Sequence, residues 1–249
     1  DYYLSFEEKS LIDRASKAFK KTIVVLNSGA VVDCEHFADN DKVQGILFGW
    51  QGGLEGGAAV ADILCGDVCP SGKLADTIPV SYYSYQNAEE FLTGFEHLDY
   101  YDDIYVGYRY FETVPGAAER VRYPFGFGLS YTDFELSGVL CGETDGKIVV
   151  SVNVKNIGSV PGKETVQLYY STPQGVLGKP AKELAAFAKT HLLNPGESET
   201  LALSFDIADM ASFDDLGKVK KAAYVLEPGK YSFYLGNSVR NAEKIDYEY

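Results

Sequence analysis

Residues that build metal sites and disulfide frameworks are scarce in this sequence. Only three histidines are present, and they are scattered along the chain: His36, His97 and His191. Four cysteines are present, in a spacing that fits no zinc-ligand pattern: Cys34, Cys65, Cys69 and Cys141. We therefore expect no metal site and no disulfide framework. Free thiols of this kind indicate a reducing compartment such as the cytoplasm.

The sequence also lacks long apolar runs and an excess of basic residues. No run is long enough to cross a bilayer, and no signal-peptide pattern is present. The 22 lysines and arginines are outnumbered by 36 acidic residues, which gives a net charge of -14. This charge argues against nucleic acids and anionic membranes as partners. The sequence begins with Asp1 rather than methionine, so we expect it to be a piece of a longer protein.

The first 80 residues alternate between helical and strand patterns. The predicted order is helix 6–20, strand 22–26, short helix 32–38, strand 44–50 and helix 58–64. Ser5 and Glu8 form a capping-box pattern before the first helix, and Gly66 is placed to cap the last one. The continuous apolar runs suit strands buried on both faces of a parallel sheet. Residues 1–80 are therefore predicted to form an α/β domain, part of which is expected to lie outside this sequence because two strands do not make a stable sheet.

Residues 81–132 are rich in aromatic side chains but follow neither a strand period nor a helix period. The aromatics of this region include Tyr82, Tyr83, Tyr85, Phe91, Phe95, Tyr100, Tyr101, Tyr105, Tyr108, Tyr110 and Phe111. Two glycine–aromatic clusters lie within it, at residues 104–110 and 123–131. We interpret the region as an ordered arm that packs against other parts of the protein, because aromatics bury a large area and can still hydrogen-bond at one end. The alternative is a sugar platform, since aromatic faces stack on pyranose rings.

Residues 133–249 follow a strand pattern. Apolar and polar residues alternate in four segments, at 148–154, 166–170, 201–205 and 231–235. Turn sequences separate these segments, at 156–159, 194–197 and 227–230. Several short alternating strands in about a hundred residues predict a β-sandwich.

A glycine-rich stretch at residues 50–74 leads from the second predicted strand into the third helix. Folds of the α/β class use a strand, a glycine turn and a helix start to bring backbone N–H groups to a ligand. A tight turn without a ligand fits the same pattern. Within the stretch, Glu55 is a candidate catalytic carboxylate at the end of a parallel strand. Its alternative role is a favourable interaction with the N-terminus of the following helix.

Three groups of residues, in this order, resemble glycoside hydrolase family three, the β-glucosidase and β-xylosidase family. The first is similar to the signature of its α/β sandwich domain: WQGG at 50–53, EGG at 55–57, AD at 61–62, GD at 66–67 and PSGKL at 70–74. The second resembles its connecting arm, at 104–111 and 123–132. The third resembles its fibronectin type III-like domain, at 147–173, 182–184 and 193–198. The resemblance covers nearly the whole chain, and one small departure is Ala75, where a proline often stands.

The resemblance implies three parts and an activity. Residues 1–80 would be part of an α/β sandwich domain, 81–132 the connecting arm, and 133–249 a fibronectin type III-like β-sandwich. The complete enzyme would hydrolyse terminal β-linked glucose or a related sugar with retained configuration, using two carboxylates and no cofactor. In the family the nucleophile is an Asp on a TIM barrel, and the acid/base is a Glu in a Gly-Glu-Gly segment. Neither is found in this sequence, so no catalytic residue, cofactor site or metal site is expected in it, and a TIM-barrel domain is the expected partner.

Other residues with catalytic chemistry are interpreted without a catalytic role. Asp62 lies on the predicted third helix and is interpreted as a packing or hydrogen-bonding residue. Asp102 and Asp103 are adjacent and are interpreted as a solvated pair. Ser71 has no histidine in a triad context, and Lys73 does not follow the phosphate-loop spacing.

Two alternatives to an enzyme part stay open. The first is a non-catalytic carbohydrate-binding or scaffold module. It gains support where Tyr105, Tyr108, Tyr110 and Phe125 line an open groove, and it loses support where they are packed against the domains. The second is a flavodoxin-like binder of small molecules built on the turn at residues 52–57, which needs a complete sheet.

Overall fold

The computed structural model describes residues 2–90 and 99–249. Phe91, Phe95 and His97 therefore lie outside the described residues. The chain forms two compact units that alternate along the sequence. Unit 1 comprises Asp1–Val68, Ile78–Asp99 and Arg120–Arg122, and unit 2 comprises Cys69–Thr77, Tyr100–Glu119 and Tyr123–Tyr249. The predicted domain boundaries at residues 80 and 132 stay predictions.

Unit 1 has the predicted alternation of helices and strands. Its first elements are α1 (Phe6–Ala18), β1 (Thr22–Leu26), α2 (Glu35–Ala38), β2 (Val43–Phe48) and α3 (Gly56–Cys65). Strands β1 and β2 pair in parallel, as predicted. The capping box is confirmed, because Ser5 N donates to Glu8 Oε2 at 2.8 Å and Glu8 N donates to Ser5 Oγ at 3.2 Å. Gly66 ends α3 in the left-handed region, with a φ of 84°.

The prediction that β1 is buried on both faces is wrong. Ile23 is 47% exposed and Val25 is 39% exposed, whereas the alternate residues Thr22, Val24 and Leu26 are half-buried. One face of the two-stranded sheet is therefore open. Helix α3 likewise has no buried residue, although its composition is apolar. A continuous apolar run predicts a strand, but its burial depends on what covers each face, and that is not a local property.

A second small sheet belongs mainly to unit 1. It pairs β3 (Ile78–Pro79) with β4 (Val121–Tyr123), and a 3₁₀ turn follows β3 at Tyr82–Ser84. Between these strands in sequence lies the single-turn helix α4 (Tyr108–Phe111), which is part of unit 2. Among the residues that the structure describes, no helix is long and apolar enough to cross a membrane.

Unit 2 is built on a β-sandwich, which confirms the predicted combination of α/β and all-β structure. One sheet has the order β5-β6-β9, with bounds Phe134–Thr144, Lys147–Asn156 and Ser198–Asp206. The other has the order β13-β12-β7-β8, with bounds Glu243–Glu248, Ser232–Gly236, Thr165–Ser171 and Glu183–Lys189. The strands β10 (Ser212–Asp214) and β11 (Ala223–Val225) form a separate antiparallel hairpin.

The alternation predicted for the sandwich is confirmed in β6. Its inward residues are fully buried: Ile148, Val150, Val152 and Val154. In the neighbouring strand, Leu203 pairs with Val150 and points to the same core. Strand β7 differs, because Gln167 and Tyr169 on its other face are buried as well as Leu168. A second layer therefore covers the outer face of β7.

Candidate functional site

Two glycine-containing segments of unit 2, distant in sequence, meet on this outer face. One is the end of the glycine-rich stretch, at residues 69–77, and the other is the second glycine–aromatic cluster, at 123–131. Leu74 N donates to Phe127 O at 2.8 Å, and Gly126 N donates to Leu74 O at 2.8 Å. This reciprocal pair of backbone hydrogen bonds fixes the register of the two segments.

The ammonium group of Lys73 contacts two oxygen atoms where residues 69–77 and 123–131 meet, a region that we call the junction. Its Nζ donates to Gly128 O at 3.1 Å and lies 2.9 Å from Glu164 Oε1. The same carboxylate accepts from Thr165 N at 2.7 Å and from Asn237 Nδ2 at 3.2 Å. These partners satisfy both charges and tie the glycine-rich stretch to the sandwich. The rejection of Lys73 as a phosphate-binding lysine agrees with this arrangement.

Glycine is required at two positions of the junction. A Cβ at Gly128 would overlap the carbonyl oxygen of Gly72, which is backbone and cannot rotate away. Gly126 has a φ of 80°, in the left-handed region, and a Cβ there would overlap the side chain of Gln167. That side chain donates to Gly126 O at 3.3 Å and to Asn237 O at 2.8 Å. The glycines of the aromatic cluster therefore permit close packing against β7.

The aromatic arm packs on the same face. The rings of Tyr108 and Phe125 are stacked, with centroids 4.5 Å apart, and Tyr108 meets Tyr169 edge-on at 6.3 Å. The hydroxyl of Tyr108 accepts from Leu184 N at 2.9 Å. Burial raises the pKa of Tyr169 far above its usual value. These contacts support the prediction that the arm packs on its neighbours.

The four residues chosen to test for a sugar platform are packed against neighbours or half-buried. Tyr108 and Phe125 pack against the buried cluster that contains Tyr169 of β7, and Tyr105 and Tyr110 are half-buried. Tyr110 also packs edge-on against the buried Phe111 at 5.1 Å. The carbohydrate-binding alternative thus loses the support that it drew from these four residues.

Glu55 lies at the C-terminal end of β2, as predicted, in an exposed loop. It is the N-cap residue of α3, but its side chain makes no capping hydrogen bond. The loop begins at Trp50, which has a φ of 50°, an unusual value for a bulky residue. Among the described residues, the carboxylate of Glu55 has no hydrogen-bond or ion-pair partner that would orient it. Its geometry gives no sign of catalytic preorganisation.

Asp62, Asp102 and Asp103 are the other carboxylates considered in the sequence, and none of them is paired with Glu55 among the described residues. Asp62 has an exposed side chain, and its backbone oxygen accepts from Asp67 N and Val68 N, at 2.8 and 3.1 Å. Asp103 is exposed, and Asp102 is half-buried with its backbone oxygen accepting from Tyr105 N. The exposure of the Asp62 side chain does not support its interpretation as a packing residue, and of the adjacent pair only Asp103 is exposed.

Among the residues that the structure describes, Ser71, His36 and His191 form no nucleophilic site. The hydroxyl of Ser71 accepts from Lys189 Nζ at 3.2 Å. His36 contacts Asp13 at 3.0 Å, and His191 lies between Glu197 and Glu199 on an exposed surface. Within residues 2–90 and 99–249, no group of three or more histidine, cysteine or acidic side chains could hold a metal ion. All four cysteines are free thiols.

Two protein-family models match successive parts of the chain. The model of the glycosyl hydrolase family 3 C-terminal domain matches residues 1–131, and that of the fibronectin type III-like domain matches residues 164–239. Beta-glucosidase A of Butyrivibrio fibrisolvens is 51% identical over 264 residues, which cover 100% of this chain and 32% of that protein. A beta-glucosidase of Ruminococcus albus is 42% identical, over 98% of this chain and 25% of its own length.

A solved structure agrees with these sequence matches. The crystal structure of a beta-glucosidase from Paenibacillus barengoltzii superimposes with a TM-score of 0.91 and 45% identity. The match covers 99% of this chain and 27% of that one. The chain therefore spans about a quarter to a third of the length of the relatives that it matches.

Proposed function

This chain belongs to glycosyl hydrolase family 3, and we propose from that premise that it is the C-terminal part of a retaining β-glucosidase. The resemblance seen in the sequence is thereby confirmed at the level of the family. The observation that carries the proposal is the match of the whole chain, at 51% identity, to a protein named as a beta-glucosidase. The substrate class is a glycoside or oligosaccharide with a terminal β-linked glucose or a related sugar.

The chemistry of such an enzyme needs two carboxylates. One attacks the anomeric carbon while the other protonates the departing oxygen, and the second then activates water to release the sugar with retained configuration. We place both groups outside this chain. The isolated and exposed position of Glu55 supports this assignment, because a catalytic carboxylate is held by neighbouring groups that tune and orient it. No cofactor is needed.

The role of this chain is then to complete a larger structure. Relatives continue well beyond the matched region, since they are about three to four times its length. Unit 1 exposes many large apolar side chains: Phe6, Leu11, Phe19, Ile23, Val25, Leu54 and Leu64. Exposed apolar surface of this extent is typical of an interaction face. We propose that a TIM-barrel domain, in the same protein or on a separate chain, contacts unit 1. Nucleic acid and membrane are not proposed as partners, and a cytoplasmic location stays a prediction.

The test is reconstitution of activity on an aryl β-glucoside. The chain alone should give no turnover, and co-expression with the remaining part of the Butyrivibrio fibrisolvens relative should restore it. Ile23→Asp with Val25→Asp should weaken the reconstitution if unit 1 is the contact face, while Glu55→Gln should leave the activity of the complex nearly unchanged. Clear turnover by the chain alone, or full reconstitution by the doubly substituted chain, would contradict the proposal.

A further inference from the structure

Five tyrosines from two segments of unit 1 meet in one cluster. Tyr2 and Tyr3 precede helix α1, and Tyr82, Tyr83 and Tyr85 lie in and directly after the 3₁₀ turn that follows β3. The ring centroid of Tyr82 lies 5.4 Å from that of Tyr2 and 6.2 Å from that of Tyr3. It also lies 5.7 Å from that of Tyr83 and 6.5 Å from that of Tyr85. We call these five residues the tyrosine cluster, and Tyr82 is its centre.

The tyrosine cluster has inner and outer members. Tyr2, Tyr82 and Tyr85 are half-buried, whereas Tyr3 is 51% exposed and Tyr83 is 65% exposed. The ring of Tyr82 meets Tyr83 at an interplanar angle of 82° and Tyr3 at 53°. Edge-on and tilted packing of this kind is favoured between aromatic rings. The two outer rings are therefore held by an inner ring while at least half of each stays accessible.

The tyrosine cluster contacts the segment that follows strand β1. Asp33 N donates to Tyr2 O at 2.8 Å, and Asp33 lies between the end of β1 and the start of α2. In open α/β sheets, ligands bind beyond the carboxyl ends of the parallel strands. Loss of solvation is the main cause that raises the pKa of Tyr3, and the charges of Asp33 and Glu35 add to it. Both acidic residues therefore lie within electrostatic range of an outer ring.

We propose that the tyrosine cluster binds a neutral glycan, with its outer rings, Tyr3 and Tyr83, against pyranose rings. The C–H face of a pyranose is apolar and matches an aromatic ring, and the sugar hydroxyls can exchange hydrogen bonds with the tyrosine hydroxyls. Because Tyr82 already holds both outer rings, little conformational freedom is lost on binding. The choice of a β-linked glucan as the glycan rests on the proposed function, whereas the binding surface itself does not.

The packing of the rings and the local charge argue against other occupants. Ring centroids 5.2 to 6.5 Å apart leave no space between the rings for a cation, which an aromatic cage for ammonium ligands needs. An anion would be repelled by Asp33, Glu35 and the net charge of -14. The accessible parts of the outer rings amount to about 200–300 Å², whereas a stable protein interface needs about 800 Å² per partner. A neutral glycan fits both the charge and the small area.

The experiment is affinity electrophoresis of the full 249-residue chain in native gels that contain mixed-linkage β-glucan, a neutral polymer. The glucan should retard the unaltered chain, and Tyr3→Ser and Tyr83→Ser should each weaken the binding by about fivefold. Tyr83→Phe keeps the ring and should retain most of the binding. The matched control is Tyr224→Ser, which removes a ring that is 76% exposed on the β10–β11 hairpin, and it should bind like the unaltered chain. Melting temperatures establish that all variants are folded.

Four results would overturn the proposal. The first is a lack of retardation of the unaltered chain by the glucan. The second is an equal loss of binding in Tyr224→Ser, and the third is stronger retardation by polygalacturonate than by the neutral glucan. The fourth is weaker reconstitution of activity by Tyr83→Ser with unchanged glucan binding, which would assign the tyrosine cluster to contact with the partner domain. The binding assay needs no turnover, so it and the reconstitution assay can fail separately.

Discussion

The ammonium group of Lys73 lies 2.9 Å from the carboxylate of Glu164, and the two side chains are only 10% and 8% exposed. Lys73 ends the glycine-rich stretch, and Glu164 immediately precedes strand β7 of the sandwich. The pair therefore joins two regions that match different domain models. Its other hydrogen bonds, to Gly128 O and from Thr165 N and Asn237 Nδ2, leave neither charge uncompensated.

Removal of one partner of this pair should destabilise unit 2. Lys73→Met leaves Glu164 buried without its counter-charge, and the expected loss is about 3–5 kcal/mol in the free energy of unfolding. The double variant Lys73→Met, Glu164→Met should regain part of that loss, because no lone charge remains. Urea unfolding followed by fluorescence measures both effects. Lys244→Met, which breaks a surface pair with Glu248, is the control and should change little.

Gly128 should tolerate no side chain. Gly128→Ala forces a methyl group against the carbonyl of Gly72, so the two segments must separate. We expect a loss of about 1–3 kcal/mol in unfolding free energy. Gly142→Ala is the matched control, since a Cβ there meets no atom within 4 Å and the residue has an ordinary φ. Equal stability of the two variants would show that the junction is looser than its hydrogen bonds indicate.

The sequence is informative where structure depends on neighbours along the chain. The capping box at Ser5, the cap at Gly66 and the alternation in β6 follow from local chemistry, and each is confirmed. The sequence does not reveal that Gln167 is buried, because its partners Gly126 and Asn237 are distant in sequence. Nor does it reveal that Ile23 is exposed, because burial depends on covering elements. The sequence does carry a signal for the second layer that covers β7, because Tyr169 is a large apolar residue at an outward position of that strand.

The cysteines should differ strongly in their rate of alkylation. Burial raises the pKa of the Cys34 and Cys141 thiols to about 11, so little thiolate is present at pH 8. Cys65 is exposed on the surface. Iodoacetamide at pH 8, with mass spectrometry of peptides over time, should label Cys65 first and Cys34 and Cys141 last. Labelling of all sites at one rate in the folded chain would contradict the burial, and denatured chain provides the reference rates.

The loop between β10 and β11 should loosen when the carboxylate of Asp214 loses its charge, because that carboxylate accepts from the backbone N–H groups of residues 217–220. Burial alone would raise the pKa of Asp214, but the four backbone hydrogen bonds lower it below the usual value for aspartate. A lowered pKa means that the stabilisation is fully present above the unfolded pKa, about 3.9, and is lost as the pH falls through the folded value. Hydrogen exchange at the amides of residues 217–220, corrected for intrinsic rates, should therefore keep its protection down to about pH 4 and lose it below.

Asp214→Asn tests the same relationship at neutral pH. The amide keeps only one good acceptor oxygen, so it cannot serve four N–H donors, and the loop should open more often. Trypsin provides a direct measurement, because opening exposes the bonds after Lys218, Lys220 and Lys221 to cleavage. We expect faster cleavage at these sites in Asp214→Asn than in the control Asp215→Asn, whose side chain is exposed. Equal cleavage rates in the two variants would show that the four hydrogen bonds do not hold the loop.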